Sequence, residues 1–212
     1  MSPRPYNLGK RQQPIEAARR QVLDAARRLL GGTASYTAFT VDAVARQADV
    51  ARATVYYQFG SKTGLLEAVC DHLAEIGGLA GLGEAFADPD PRQALRRFVA
   101  CFGGFWAADR PAMRRLRALA QLDPDVGAVI AARDQRRHDG LTVLAARLAA
   151  ADPAEVDHAV RVLMTLTSFE TFDTLAGPDQ EITAALPDVL RLAEAIGRCW
   201  SRGRLLAWLA DS

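Results

Sequence analysis

The chain is short of cysteine. It has three in 212 residues, Cys70, Cys101 and Cys199. They are odd in number and widely separated, which excludes a disulfide framework and a C-x-x-C metal or redox pair. No run of 18 apolar residues occurs, so a transmembrane helix is excluded. The stretch Met1 to Lys10 is polar, contains two prolines and lacks the apolar core of a signal peptide. A cytoplasmic protein with reduced thiols is expected. β-branched alternation is nearly absent, which argues against strands. H-E-x-x-H, Walker, G-x-G-x-x-G and G-x-S-x-G motifs are all missing. His72, His138 and His158 are too scattered to form a metal site. No metal, cofactor or catalytic group is therefore expected. A helical enzyme stays open only as an alternative that no catalytic constellation supports.

A net charge of one sign is also missing, since the whole chain carries only +1. That neutrality hides a division. Residues 1–62 hold ten basic and four acidic side chains, a net of +6. The remaining residues hold sixteen basic and twenty-one acidic ones, a net of −5. Such asymmetry points to a nucleic-acid or membrane surface on the basic part.

What is abundant is alanine, leucine and arginine, all good helix formers. The pattern predicts an all-α protein of about nine helices. Pro14 is placed to open the first, with Val22, Ala26, Leu29 and Leu30 on one face and Gly31-Gly32 as its end. Thr40 caps a second helix to about Gln47, and a third runs from about Ala51 to Gln58. Phe59-Gly60 closes it, and Ser61 caps the next. Gly81, Gly83, Pro89 and Pro91 read as a loop. Proline-started helices then follow over 91–108, 111–122, 124–150, 153–176 and 187–209. The predicted organisation is a basic arm over 1–13, a small domain over 14–60 and a helical body over 61–212. The helix from Ser61 bridges the last two.

Two short helices joined by a tight turn form a helix-turn-helix candidate at residues 40–62. Ala45 is small where the helices cross. Val44, Val50 and Val55 would form the miniature core. The run Ala53-Thr-Val-Tyr-Tyr-Gln-Phe-Gly-Ser-Lys62 places an aromatic pair, a Phe-Gly turn and a Ser-Lys helix start in succession. An ordinary helix pair in a bundle has no need of that order. Over about residues 15–70 the chain resembles the DNA-binding domain of the TetR-type repressor family. One position departs from that family's pattern: Asp49 stands in the turn where glycine is usual, and the turn is expected to need φ > 0.

The resemblance implies roles. Arg52 would donate to a guanine edge, and Ala53 would touch a thymine methyl. Gln58 would reach an adenine or a phosphate. Tyr56 would meet a base or sugar, and Tyr57 a phosphate. Thr40 and Thr54 would bond phosphates. Lys62, in the first turn of its helix, would share a phosphate with the helix N-terminus. Arg4, Lys10 and Arg11 either track DNA as an arm or form a solvated tail.

For the body, the resemblance implies a small-molecule pocket and a homodimer. Phe102, Phe105, Trp106, Met113, Met164, Thr165, Ser168, Phe169 and Phe172 are the pocket candidates, with plain core as the other reading. Gly103-Gly104 and Gly77-Gly78 imply close approach of a ligand or a neighbouring helix. Phe169, Leu190, Ala193, Ile196, Gly197 and Trp200 are candidates for the dimer interface, or else for the intramolecular core. Arg133, Arg136 and Arg137 read as a solvated face, and His138-Asp139 as a surface pair. The expected function is a ligand-responsive repressor that binds a pseudo-palindromic DNA operator as a homodimer. A ligand-independent DNA-binding protein with a filled body is the alternative.

Overall fold

In a computed structural model the chain is described at residues 9–32, 39–148 and 153–200. Among these residues there are eleven α-helices and no strand. They are α1 (Gly9–Gly31), α2 (Val41–Gln47), α3 (Arg52–Phe59), α4 (Lys62–Ile76), α5 (Leu82–Ala87), α6 (Pro91–Ala108), α7 (Arg110–Leu122), α8 (Pro124–Leu148), α9 (Pro153–Leu166), α10 (Phe169–Ala176) and α11 (Leu186–Trp200). Short 3-10 turns occupy Leu79–Gly81 and Ile182–Ala185.

The all-α expectation holds, and the count rises from about nine to eleven for two local reasons. The stretch expected as a loop between Gly81 and Pro91 contains α5, which buries Ala85. The single helix expected over 153–176 breaks at Thr167 and Ser168 into α9 and α10. Ser168 has extended backbone, and its hydroxyl accepts from the Thr171 N–H at 3.2 Å, starting a new helix. Pro14 does not open α1 but stands inside it. As the sixth residue of α1 it lies past the first turn, so its missing N–H leaves one intrahelical bond unmade.

The described residues form two compact units. The first takes those up to His72 together with Pro111–Gly127. Its core holds Val22, Ala26, Leu30, Val44, Val55, Leu65, Leu66 and Val69, all at or near full burial. Arg115 on α7 donates to the carbonyls of Leu29 at 3.2 Å and Gly32 at 2.6 Å. It thereby satisfies orphan acceptors at the end of α1.

The second unit takes Leu73–Arg110 and the described residues from Ala128 onward. Aromatic rings fill its middle. Phe98 and Phe102 lie 4.8 Å apart between centroids, Phe105 and Trp106 4.5 Å, and Trp106 and Phe169 5.7 Å. Arg110 bonds Asp173 Oδ1 at 2.5 Å and the carbonyls of Asp173, Gly177 and Gln180, which closes the end of α10. Arg137 corrects the expectation of a solvated face. It is 6% exposed, and its guanidinium reaches the Met164 carbonyl and Thr167 Oγ1, both at 2.9 Å. Arg136 is exposed, and His138 and Asp139 do form a surface pair at 3.6 Å.

Gly77 and Gly103 of this unit serve helix packing, whereas Gly78 takes a φ of 73° with nothing within 4 Å of a Cβ. A Cβ on Gly103 would lie 3.1 Å from the Phe172 ring and 3.2 Å from Leu186. One on Gly77 would lie 2.6 Å from the Phe105 Cα. Neighbouring helices therefore account for the close approach.

Candidate nucleic-acid interface

The helix-turn-helix is held from below by α1. Gln21 Nε2 donates to the Ala48 carbonyl at 2.7 Å, at the turn between α2 and α3. Arg19 donates to the Gln58 carbonyl at 3.3 Å, and its Cζ sits 4.6 Å over the Phe59 ring. Val41, Val44, Ala45, Ala48, Val55 and Phe59 are buried, while Val50 is only half-buried. Ala48 thus takes part of the core role expected of Val50.

Thr40 caps α2 as expected, accepting from the Ala43 N–H at 3.1 Å. Its hydroxyl hydrogen remains available to an outside acceptor. The turn closes with the Val50 N–H bonded to the Ala45 carbonyl at 3.0 Å. Asp49 within it has φ 50°, the only positive φ at a non-glycine among the described residues. A carboxylate side chain tolerates this region where a branched one does not. Asp49→Val is therefore expected to lower stability by about 1–2 kcal/mol, and Asp49→Gly to leave it equal or raise it slightly. Thermal melts check this; equal melting of Asp49→Val and wild type would contradict it.

The burial of Val55 and Phe59 turns the opposite side of α3 outward. Arg52, Ala53, Tyr56 and Tyr57 are all exposed, Tyr57 at 85%. Their spacing of one and four residues is that of a single helix face. Thr54 and Gln58 are half-buried, and the Gln58 Oε1 is enclosed. Arg52 is not loose. Its Nη1 lies 3.2 Å and 3.3 Å from the two carboxylate oxygens of Asp42, and its Nη2 donates to the Tyr56 hydroxyl at 3.3 Å. That hydroxyl bond and the Asp42 charge hold the guanidinium even more firmly protonated than usual.

Gly60 ends α3 at φ 74°, and Ser61 Oγ then accepts from the Gly64 N–H at 3.0 Å. Lys62 follows in the first turn of α4. Its ammonium is 2.5 Å from Asp123 Oδ2. Asp123 Oδ1 meanwhile accepts from the backbone N–H groups of Asp125 and Val126. The Lys62 hydrogen bond lowers the Asp123 pKa against an opposing effect of burial, so this carboxylate stays ionised. Asp42, Asp123, Arg19 and Gln21 were not marked out by the sequence. Their partners lie 10 to 61 residues away, and no local pattern encodes that.

Of the arm candidates, Arg4 lies outside the described residues. Lys10 and Arg11 stand at the start of α1, with side chains outside the description. The pocket candidates fall in both units. Met113 is buried in the first, whereas Phe102, Phe105, Trp106 and Phe169 form the ring chain of the second. Phe172 is fully buried beside Gly103. Thr165 is exposed, and its hydroxyl bonds the Arg161 carbonyl at 3.1 Å; Ser168 is spent on its cap. Met164 is half-buried, with its carbonyl taken by Arg137.

A half-open cleft of about 320 Å³ lies elsewhere in that unit, lined by Leu95, Arg96, Leu148, Ala193, Glu194 and Gly197 among others. Two of the dimer candidates, Ala193 and Gly197, thus face a cleft. Leu190 and Ile196 are half-buried, Phe169 is buried, and the Trp200 side chain lies outside the description. No group of metal-ligating side chains and no helix long and apolar enough to cross a membrane occurs among the described residues.

Residues 22–69 match the family model described as bacterial regulatory proteins, tetR family. No curated protein matches the chain. Among solved structures, the fold is similar to a transcriptional regulator from Rhodococcus sp. Rha1. That protein is 17% identical over 87% of this chain and 96% of its own, with a TM-score of 0.61. It is also similar to a candidate transcriptional regulator from Saccharomonospora viridis in complex with choline. Identity there is 17% over 84% of this chain and 96% of that one, with a TM-score of 0.62. A TetR family transcriptional regulator, PfmR, from Thermus thermophilus is 22% identical over 84% of this chain and 97% of that one, at a TM-score of 0.58.

Proposed function

From a chain that carries a tetR-family DNA-binding domain at residues 22–69, we propose a cytoplasmic transcriptional regulator that represses from a pseudo-palindromic operator. The observation that carries this reading is the outward face of α3. It presents Arg52, Ala53, Tyr56 and Tyr57 together, on a segment of net charge +6. A single α-helix fits the B-DNA major groove, and its N-terminal residues meet base edges. Arg52 is the reader of guanine, Ala53 packs on a thymine methyl, and Tyr56 reaches a base or sugar. Tyr57, Thr40, Thr54 and Lys62 bind phosphates, and Gln58 an adenine or a phosphate. Arg4, Lys10 and Arg11 extend the phosphate contacts along the duplex.

The protein acts as a homodimer in this reading, with two recognition helices spaced by one DNA turn, ~34–36 Å. Leu190, Ile196 and Trp200 are proposed to join the copies, while the candidates Phe169, Ala193 and Gly197 are buried within the subunit. A small molecule in the second unit favours a spacing that no longer fits the operator. The coupling is reciprocal, so operator DNA lowers ligand affinity by the same factor. Support for a small-molecule body comes from the similar fold that holds choline. A second reading, a ligand-independent regulator, is favoured by the ring packing of Phe98, Phe102, Phe105, Trp106 and Phe169. Loss of operator binding on adding metabolites separates the two.

The test of DNA reading starts with duplexes selected from random sequence. Arg52→Ala is expected to cost ~1–3 kcal/mol on the selected site and to relax one base position. Lys62→Ala is expected to weaken all sequences alike. Equal losses for Arg52→Ala on selected and random duplexes would remove Arg52 from base reading.

A further inference from the structure

Arg52 stands on the exposed face of α3, yet its guanidinium is held from two directions. Asp42, from the first turn of α2, places both carboxylate oxygens within 3.3 Å of Nη1. Tyr56, one helical turn along α3, accepts from Nη2 and lies with its ring 5.4 Å under Cζ. All three side chains are exposed, at 59% for Arg52 and 54% for Asp42. A surface ion pair of this kind contributes little to stability. Nothing in the packing of the module requires it.

A free guanidinium on a DNA-facing helix has two kinds of target. Phosphates are the more numerous, carry full charge and are the same for every sequence. Base edges carry the information. Asp42 changes this competition. Its carboxylate repels phosphate from the same volume that Nη1 occupies, and it removes rotamer freedom from Arg52 before DNA arrives. Arginine has five N–H donors, of which Asp42 and Tyr56 take two. One donor is left on each terminal nitrogen, the number that a bidentate bond to guanine O6 and N7 needs. Specificity is a difference of affinities and can be raised by penalising the wrong partner.

We propose that Asp42 is a positioning residue that sets base specificity, by holding Arg52 for a base edge and away from phosphate. This rests on the reading of α3 as a DNA-reading helix. It gives one acidic residue of a basic module a function in discrimination, at some expense of total affinity.

The experiment measures binding of the full chain to a selected duplex and to a random-sequence duplex of equal length. Asp42→Asn keeps the shape and removes the charge. Random-duplex affinity is expected to rise about twofold to threefold, and the selected-to-random ratio to fall about threefold to tenfold. A repeated selection with Asp42→Asn should relax the same base position that Arg52→Ala relaxes, and no other. In an Arg52→Ala background, Asp42→Asn should leave the ratio unchanged. Asp42→Ser serves as a second variant, and thermal melts establish that both fold. An unchanged ratio for Asp42→Asn, or an equal change with and without Arg52, overturns the proposal while DNA reading stands. A wild-type chain that selects no sequence at all overturns the DNA-reading function itself, and the role of Asp42 with it.

Discussion

Gly64→Ala is expected to reduce duplex affinity more than tenfold on every sequence. Gly64 lies in the first turn of α4, directly above the end of α3. A Cβ built on it would stand 2.1 Å from the Phe59 carbonyl oxygen and 3.3 Å from that carbonyl carbon. Both atoms are backbone, so no side chain can rotate away. The last turn of α3 must move, or the first turn of α4 must unwind. Unwinding also breaks the bond from the Gly64 N–H to Ser61 Oγ. Overpacking of this kind costs about 1–3 kcal/mol, and here it falls on the joint that orients α3 and Lys62. Gly83→Ala is the control: nothing lies within 4 Å of a Cβ there, and alanine favours the helix by up to ~1 kcal/mol. Duplex binding by Gly64→Ala at wild-type strength would show that the α3–α4 joint accommodates the methyl.

The largest effect on stability is expected from Arg137→Ala, at about 3–5 kcal/mol. The guanidinium is buried against Phe102, with Cζ 5.8 Å from the ring centroid. It bonds the Met164 carbonyl and Thr167 Oγ1 at the broken junction of α9 and α10, and pairs with Asp134 at 3.2 Å. Alanine leaves those acceptors without their cation and opens a cavity beside Phe102. For a chain of this size the melting temperature should fall by on the order of 10 °C. Arg137→Met fills most of the volume and should lose less. Arg137→Lys should not restore wild-type stability, because one ammonium cannot span the same acceptors. Selected base preference should survive in all three variants. A melting temperature for Arg137→Ala within a degree or two of wild type would refute the bridging role.

Much of the helix-turn-helix was legible because its signals are local. Thr40 and Ser61 cap within three residues, Gly60 supplies the left-handed stop, and Asp49 takes the positive φ that its place in the turn demands. The same locality explains where reading stopped. Ser168 is also a helix cap, but no glycine or proline interrupts residues 154–176, so the stretch reads as one continuous helix. Arg137 follows Arg133 and Arg136 in a stretch that looks solvated throughout. Only the break between α9 and α10 brings Met164 and Thr167 to it.

The pocket candidates show the same limit. Aromatic residues at helical spacing specify that a face is buried, but not whether rings or a ligand lie against it. Phe102, Phe105 and Trp106 meet one another, and Trp106 meets Phe169. A cleft of about 320 Å³ adjoins Arg96 and Glu194, away from those rings.

The sequence by itself determined the helical class, the helix-turn-helix and the division of charge, because caps, turns and periodicity act over a few residues. Tertiary structure alone decided which charges meet a partner within the protein. Asp42 meets Arg52, Asp123 meets Lys62, and Arg137 is buried. A charge is assigned to solvent, DNA or a partner by what stands within about 4 Å of it. That distance is set by helices folding together, across separations that no sequence window spans.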